Sequence, residues 1–396
     1  MKILVLNCGS SSIKYALYDM AQGQQLTSGG AERVGAEGSF IKVKMPDGTK
    51  EKIMVDIPEH TAGVKYILGL LTDKHYGVLQ SLDEIGAVGH RMVHGGEQFR
   101  HSVVITEDVI KEFMAVSDLA PLHNFANLKG IRAVQELLPN LPQVGVFDTA
   151  FHQTMPDYAY MYALPYELYK EYGIRRYGFH GTSHRYVSQR VCAFLGVDIK
   201  EQKIITCHIG NGASIAAVQY GQCVDTSMGL TPLEGLMMGT RSGDIDAGAV
   251  TFLMTKLGYT PSQMSDLLNK KSGLDGIAHL GADMRDLEAA KDAGNDMARL
   301  AIDMYTYRVK KYIGAYAAAM NGVDIIVFTA GVGENQIRIR KLMTAGLDYL
   351  GVKLDDARNN VRGEERLISA DDSKVKVVLI PTDEEYMIAS DTLALI

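Results

Sequence analysis

Two short apolar runs along the chain open in the same way and end at the same kind of turn. Residues 3–6 follow Lys2 and lead into "NCGSSSIKYAL" at 7–17; residues 204–207 follow Lys203 and lead into "HIGNGASIAAV" at 208–218. In each place a strand-length apolar stretch gives way to Gly, Ser or Asn and then returns to small apolar residues. That is the pattern of a β-hairpin with a polar, glycine-bearing turn. The predicted strands are 3–6 with 13–18 and 204–207 with 214–218. Two such hairpins, roughly two hundred residues apart, indicate a duplicated unit.

Four further segments carry the same kind of signal. "EIGAVGHRMVHGG" predicts a buried strand at 85–88 ending at His90-Arg91, and "LPQVGVFDTAFHQ" one at 144–147 ending at Asp148. "VDIIVFTAGVGENQIRIRKLMTAG" reads as strand, glycine-rich loop and helix. "KVKVVLIPTDEEYMIASDTLALI" reads as a strand at 375–380, a polar turn with proline, and a helix to the last residue. Strands alternating with helical patterns predict an α/β chain. In such sheets ligands bind outside the carboxyl ends of the strands. Arg91, Asp148, Gly331 and Glu384 all fall at or just beyond such ends.

Length turns this into two domains, because 396 residues exceed one comfortable core. The net charge of −7 argues against a general nucleic-acid binder, yet leaves room for a pocket holding a few arginines. Cys8, Cys192, Cys207 and Cys223 form no CxxC pair and have apolar neighbours, which predicts buried, reduced thiols. The first apolar run is too short for a signal-peptide core, and nothing approaches the roughly 20 apolar residues of a membrane span. The expectation is a soluble, cytoplasmic protein.

The polar turns suit phosphate. Backbone N–H groups in a Gly/Ser turn can cradle phosphate oxygens, and glycine lets the chain come close. "GSSS" at 9–12, "GNG" at 210–212 and "GVGEN" at 331–335 all fit, the last leading into a helix whose N-terminus favours anions. None matches a P-loop or a dinucleotide fingerprint. In "GFHGTSHRYV", the default reading makes Thr182 or Ser183 a helix N-cap. His180, between glycines with little to pack against, is a candidate donor to a phosphoryl oxygen. In "MMGTRSGDIDAG", Arg241 lies among Gly, Thr and Ser before a helix with acidic first-turn residues, which suits a phosphate clamp. Of "DMRDLEAAKDAG" at 283–294 only the start looks like site material. Asp148 and the "DEE" of 383–385 are the acids near strand ends, where isolated carboxylates commonly hold Mg²⁺ through water.

Taken in order, "LVLNCGSSSIKY", "GHRMVHGG", "FDTAFH", "YGFHGTSH", "HIGNGAS", "DTSMGLTPLEGLMMGTRSGDID", "TAGVGEN" and "PTDEE" resemble the acetokinase family over essentially the whole chain. The resemblance implies an actin-like ATPase (ribonuclease H-like) fold, as in the actin and hexokinase superfamily. Its two α/β domains would derive from a duplicated unit and close over nucleotide. Domain I would span 1–150 plus 386–396 and domain II 151–385. The implied reaction is reversible, direct in-line transfer of the γ-phosphoryl group of ATP to acetate, giving acetyl phosphate and ADP. A propionate or butyrate kinase of the same family is the alternative, and a non-catalytic ATP-binding module a further one. By resemblance, Asn7 and Glu384 would hold Mg²⁺, for which Mn²⁺ can substitute. Ser10, Ser12 and Lys14 would lie near the phosphates. His208, Ile209, Gly210, Asn211 and Gly212 would form a nucleotide phosphate loop. Asp283, Met284 and Arg285, with Gly331, Val332, Gly333, Glu334 and Asn335, would line the adenosine and α-phosphate region. Arg91, His180 and Arg241 would stabilise the transferring phosphoryl, with Asp148 an essential acid that orients one of them. Val93, Leu122, Phe179 and Pro232 would surround the acetate methyl. The family also implies a homodimer, with no nucleic-acid or membrane partner.

Overall fold

A computed structural model describes residues 1–45 and 47–396; the side chain of Leu122 also lies outside the described residues. The chain forms two compact units, Met1–Phe151 with Asp383–Ile396, and His152–Thr382. Residues 383–385 thus fall in the first unit.

The first unit is built on an eight-stranded sheet of β1 (Lys2–Cys8), β2 (Ser12–Asp19), β3 (Gln24–Glu32), β4 (Phe40–Lys44), β5 (Lys50–Met54), β6 (Ile85–Met92), β7 (Val103–Val104) and β8 (Gln143–Phe147), in the order β5-β4-β3-β2-β1-β6-β8-β7. The first apolar run explains the centre of this sheet. Side chains alternate across a strand, so Leu4, Leu6 and Cys8 enter the core on one face while Ile3 and Val5 enter the core on the other. A strand buried on both faces must be apolar throughout, which is why 3–6 is an unbroken run rather than an alternating one. On the first face lie Val64, Ile67 and Leu71 of helix His60–Leu71 and Ala133 and Val134 of helix Pro121–Leu137. On the second lie Ile388 and Ala389 of the C-terminal helix Glu384–Leu395. Gly89 in β6 is what lets that helix approach: a Cβ there would sit 2.7 Å from Ile388 Cγ2.

The second unit repeats the plan. Its strands are β9 (Lys203–Ile209), β10 (Ala213–Gln219), β11 (Gln222–Thr226), β12 (Ile325–Thr329), β13 (Arg366–Leu367) and β14 (Lys376–Leu379), in the order β11-β10-β9-β12-β14-β13. In both units an antiparallel meander of three strands is followed by two strands parallel to its first member: β3-β2-β1-β6-β8 matches β11-β10-β9-β12-β14. This is the duplicated unit that the paired hairpins predict, in the ribonuclease H-like arrangement that the family resemblance implies. The β1–β2 and β9–β10 turns occupy the same topological place. The ends of β6 and β12 correspond, as do those of β8 and β14.

"GVGEN" is not a loop. Ala330–Asn335 is itself a short helix that starts directly after β12, and a second helix, Ile337–Thr344, follows Gln336. The reversal is made at Ala330, which takes a left-handed φ of 65°. Fully buried Arg340 holds the short helix in place, donating to the carbonyls of Gly333 at 2.9 Å and Glu334 at 3.0 Å and to the backbone of Asn359 and Val361. The four cysteines are buried free thiols. Among the described residues no helix is long and apolar enough to cross a membrane.

Candidate active site

At the carboxyl end of the first unit's parallel strands, register brings two predicted residues together. β6 and β8 pair Arg91 with Val146 and Met92 with Phe147, and the N–H of Asp148, one residue past β8, donates to Met92 O at 2.8 Å. The Arg91 guanidinium donates to both carboxylate oxygens of Asp148, from Nε at 3.0 Å and Nη2 at 2.6 Å. Asp148 is 1% exposed, whereas the Arg91 side chain keeps 25% of its surface. The pair therefore fixes the arginine plane with one edge outward. The Asp148 charge raises the Arg91 proton affinity above the ordinary arginine range, so the cation is permanent. Beside it lies a cavity of about 20 Å³ lined by Asn7, Lys14, Arg91, Glu384, Glu385 and apolar side chains. Asn7 and Lys14 meet there because β1 and β2 pair them directly. Burial pushes the Glu384 carboxyl up to about 7, with Asp148 and Glu385 adding to the rise and Arg91 and Lys14 opposing it. Asp383 caps the helix that carries Glu384, accepting from Tyr386 N at 2.9 Å and from the Tyr18 hydroxyl at 2.9 Å.

In the second unit the corresponding turn follows β9. Gly210 N donates to Gly212 O at 3.1 Å, which closes the turn, and Gly239 N donates to Asn211 O at 3.1 Å, which ties the segment carrying Arg241 to it. A Cβ added to Gly212 would lie 3.6 Å from Arg241 Nη1 and 3.7 Å from His180 Nε2, so the turn, the arginine and the imidazole share one small space. Arg241 donates only weakly, to Pro232 O at 3.3 Å and Met238 Sδ at 3.8 Å, and no carboxylate faces it among the described residues. Burial alone lowers its proton affinity. His180 takes a left-handed φ of 56° at the start of helix Gly181–Leu195, stacks on His208 with ring centroids 4.1 Å apart, and has Nδ1 2.9 Å from Ser214 Oγ.

A cleft of about 420 Å³ opens in the same unit, within the usual range for small-molecule sites. Gly210, Asn211, Asp283, Met284, Arg285, Gly331, Val332 and Asn335 line it, so residues from three separate predicted motifs converge. Asp283 caps helix Met284–Asp292 by accepting from Arg285 N at 2.9 Å and also binds the Arg285 guanidinium, which holds its carboxyl down at about 2.

The sequence profile described as the acetokinase family matches residues 2–390. The chain belongs to the acetokinase family. An acetate kinase of Phocaeicola vulgatus is 67% identical over the whole length of both chains. A crystal structure of Porphyromonas gingivalis acetate kinase superposes with a TM-score of 0.97 at 55% identity, covering 100% of this chain and 99% of that one. A propionate kinase from Francisella tularensis superposes at 0.93 with 42% identity over both full chains.

Several predicted residues sit elsewhere than their motifs imply. Ser183 is not an N-cap; it lies inside the first turn, with Oγ 2.8 Å from His208 Nδ1 and 2.8 Å from Thr382 Oγ1. Thr182 makes no cap either, and the helix begins at His180 without a side-chain cap. The acidic residues after Arg241 precede the helix rather than fill its first turn: Asp246 is its N-cap, and Asp244 binds Gly235 N and the Tyr312 hydroxyl. His180, expected to have little to pack on, is half of a ring stack. Within the nucleotide set, His208, Ile209, Gly212, Gly333 and Glu334 do not line the cleft. Glu334 turns back to accept from Ala330 N at 2.7 Å and Thr382 N at 3.1 Å. Ser10 is exposed in the first turn, and Ser12, the first residue of β2, is half-buried. Val93 is buried in the first unit, Phe179 is buried and Pro232 half-buried in the second, and Leu122 lies outside the described residues. Sequence reasoning missed Tyr305, Gln336 and Arg362 in the cleft. Gln336 directly follows "GVGEN" and could have been found; Tyr305 and Arg362 stand in no motif. The Tyr305 hydroxyl is buried without a hydrogen-bond partner among the described residues.

Proposed function

We propose that this chain transfers the γ-phosphoryl group of ATP reversibly to acetate, giving acetyl phosphate and ADP. The observation that carries the reading is the pairing of a permanently charged, bidentately fixed Arg91 with an Asp148 whose two oxygens are both occupied. An acetate carboxylate is ionised at neutral pH and needs no base. The chemical problem is repulsion between two anions and charge spread over three equatorial oxygens, which calls for cations and positioning. Asp148, committed to Arg91, is suited to orient it and not to take a proton. Arg91, Arg241 and His180 are assigned to the transferring group, which favours direct in-line transfer over a phosphoryl-enzyme. The cleft lined by Asn211, Asp283, Arg285 and Gly331 is assigned to the nucleotide, with the Tyr305 hydroxyl a further donor to it. Val93, Phe179 and Pro232 are assigned to the acetate methyl.

The oxygen donors around the small cavity fit a hard cation that keeps most of its waters. Asn7 and Glu384 would hold Mg²⁺, with a half-buried Glu384 carboxyl that gains from a neighbouring positive charge. When bound, the metal neutralises charge on the phosphates. A cytoplasmic homodimer is proposed as well: Tyr158, Tyr172, Phe252 and Tyr307 of the second unit are exposed large apolar side chains that a second copy could cover. Light scattering giving a monomer at working concentration would remove that part.

The likeness to a propionate kinase keeps propionate as a second acceptor. One experiment addresses both: initial rates with ATP and acetate, propionate or butyrate, reading ADP and acyl phosphate together. The proposal predicts equal yields of both products and kcat/KM falling from acetate to butyrate. ADP release that ignores the acid would refute it, and a maximum at propionate would reassign the substrate.

A further inference from the structure

His180 is held by a hydrogen-bonded chain that runs into the sheet. Its Nδ1 lies 2.9 Å from Ser214 Oγ. The same hydroxyl lies 2.7 Å from His184 Nε2. His184 Nδ1 in turn lies 2.7 Å from Thr206 Oγ1. Thr206, His184 and Ser214 are all fully buried. Their positions follow from local structure: His184 is one helical turn on from His180, while Thr206 and Ser214 stand on the paired strands β9 and β10.

Each hydroxyl in this chain has a single proton. Ser214 can therefore donate to one imidazole nitrogen only, and accepting from both would leave its own buried proton without an acceptor among the described residues. The neighbouring rings permit two self-consistent patterns. In the first, His180 Nδ1–H donates to Ser214, Ser214 to His184 Nε2, and His184 Nδ1–H to Thr206. The Thr206 proton is then left with Ala216 O, at 3.5 Å, the edge of hydrogen bonding. In the second, every direction reverses: Thr206 donates to His184 Nδ1 at 2.7 Å, His184 Nε2–H to Ser214, and Ser214 to His180 Nδ1. The second pattern places every proton on a short contact. Both patterns require a neutral His184, and burial, reinforced by His152 and His208, holds that ring well below the ordinary histidine range.

We propose that Thr206, His184 and Ser214 form a relay that fixes neutral His180 as the Nε2–H tautomer, so that Nε2 donates to the transferring phosphoryl oxygen. Thr206, His184 and Ser214 are positioning residues; only His180 would touch the reacting group. A parallel arrangement holds the stacked ring: His208 Nδ1 meets Ser183 Oγ, which meets Thr382 Oγ1. The ring plane and the proton position of His180 are thus set separately, one by stacking and one by the relay. The inference rests on the assignment of His180 to the phosphoryl group.

The test is ring-nitrogen NMR of the full chain labelled with ¹⁵N-histidine, with His180→Gln identifying the resonances. The relay predicts an unprotonated Nδ1 and a protonated Nε2 on His180 at neutral pH. Thr206→Val, which keeps the side-chain shape and removes the hydroxyl, should shift His180 toward the Nδ1–H form. It should also lower kcat by roughly ten- to hundredfold, the range for outer hydrogen bonds that set an imidazole tautomer, with KM for ATP and acetate little changed. Thr206→Ser should restore both signals, and Ser214→Ala serves if the valine variant does not fold. A His180 protonated on Nδ1 in the unaltered chain, or a tautomer that ignores a folded Thr206→Val or Ser214→Ala, would overturn the relay. If the tautomer follows the relay while His180→Gln keeps full kcat, the relay stands and the assignment of His180 to the phosphoryl group falls.

Discussion

The two units share a strand order but hold opposite electrostatic arrangements at equivalent strand ends. Past β6 and β8 the first unit places a charged pair: Arg91 at one end and Asp148 just beyond the other, with two contacts between them. Past β12 and β14 the second unit places backbone and neutral donors: the turn into helix Ala330–Asn335, and Thr382, whose N–H binds Glu334. In the second unit Arg241 lies off the strand ends and faces no carboxylate among the described residues. A paired buried cation is a fixed part of the scaffold. An unpaired, half-buried one is stabilised only when an anion arrives. The comparison teaches that sheet topology chooses where chemistry can happen, while the local balance of charge decides whether a residue is held or waiting.

Replacing Arg91 should have the largest effect. Arg91→Ala should lower kcat by roughly 10³–10⁵, the range for an arginine acting on a transferring phosphoryl, in steady-state assays; Arg91→Lys should recover little, lacking the planar fork. Near-normal turnover in Arg91→Ala would break the comparison at its charged end. Arg241→Ala should follow, with a loss of about 10²–10³ in kcat, typical of removing one preorganised donor. A loss in KM alone would mark Arg241 as a binding group instead.

Glu384 sharpens the comparison through pH. Its carboxyl titrates at about 7 in the folded chain against an ordinary 4.5, so between those values the folded state binds more protons than the unfolded state. Stability of the metal-free protein should therefore fall as pH rises through that window, and Glu384→Gln should flatten the fall. Thermal midpoints in chelator from pH 4.5 to 7 check this; parallel slopes for the two proteins would contradict it. Val93→Ala should have the smallest effect, shifting kcat/KM toward propionate by no more than the ~1–3 kcal/mol that one methylene carries. An unchanged ranking of acids would remove Val93 as the gate.

Much of the scaffold was legible because strands buried on both faces leave near-continuous apolar runs, as at 3–6, 204–207 and 325–329. Arg91 and Asp148 were legible as strand-end residues, but their bidentate contact depends on the β6–β8 register, which no local pattern encodes. The helix at Ala330–Asn335 was not legible: its glycines signal a loop, and what holds it is Arg340, a residue whose burial depends on the segment 359–361 folding over it. The histidine relay was hidden for the same reason. His184 reads as an ordinary helix position, and Thr206 and Ser214 as strand residues, until the two strands pair beneath the helix.

The most direct test of the contrast between a held and a waiting arginine is equilibrium denaturation of Arg91→Ala and Arg241→Ala side by side, without ligands. Removing Arg91 strands the buried Asp148 carboxylate. Because Arg91 itself is partly exposed, the loss should fall toward the lower end of the ~3–5 kcal/mol that breaking a buried pair costs. Removing Arg241 strands no charge and relieves a desolvated cation, so its stability should stay level or rise slightly. Equal losses in the two variants, or a larger loss for Arg241→Ala, would contradict the account.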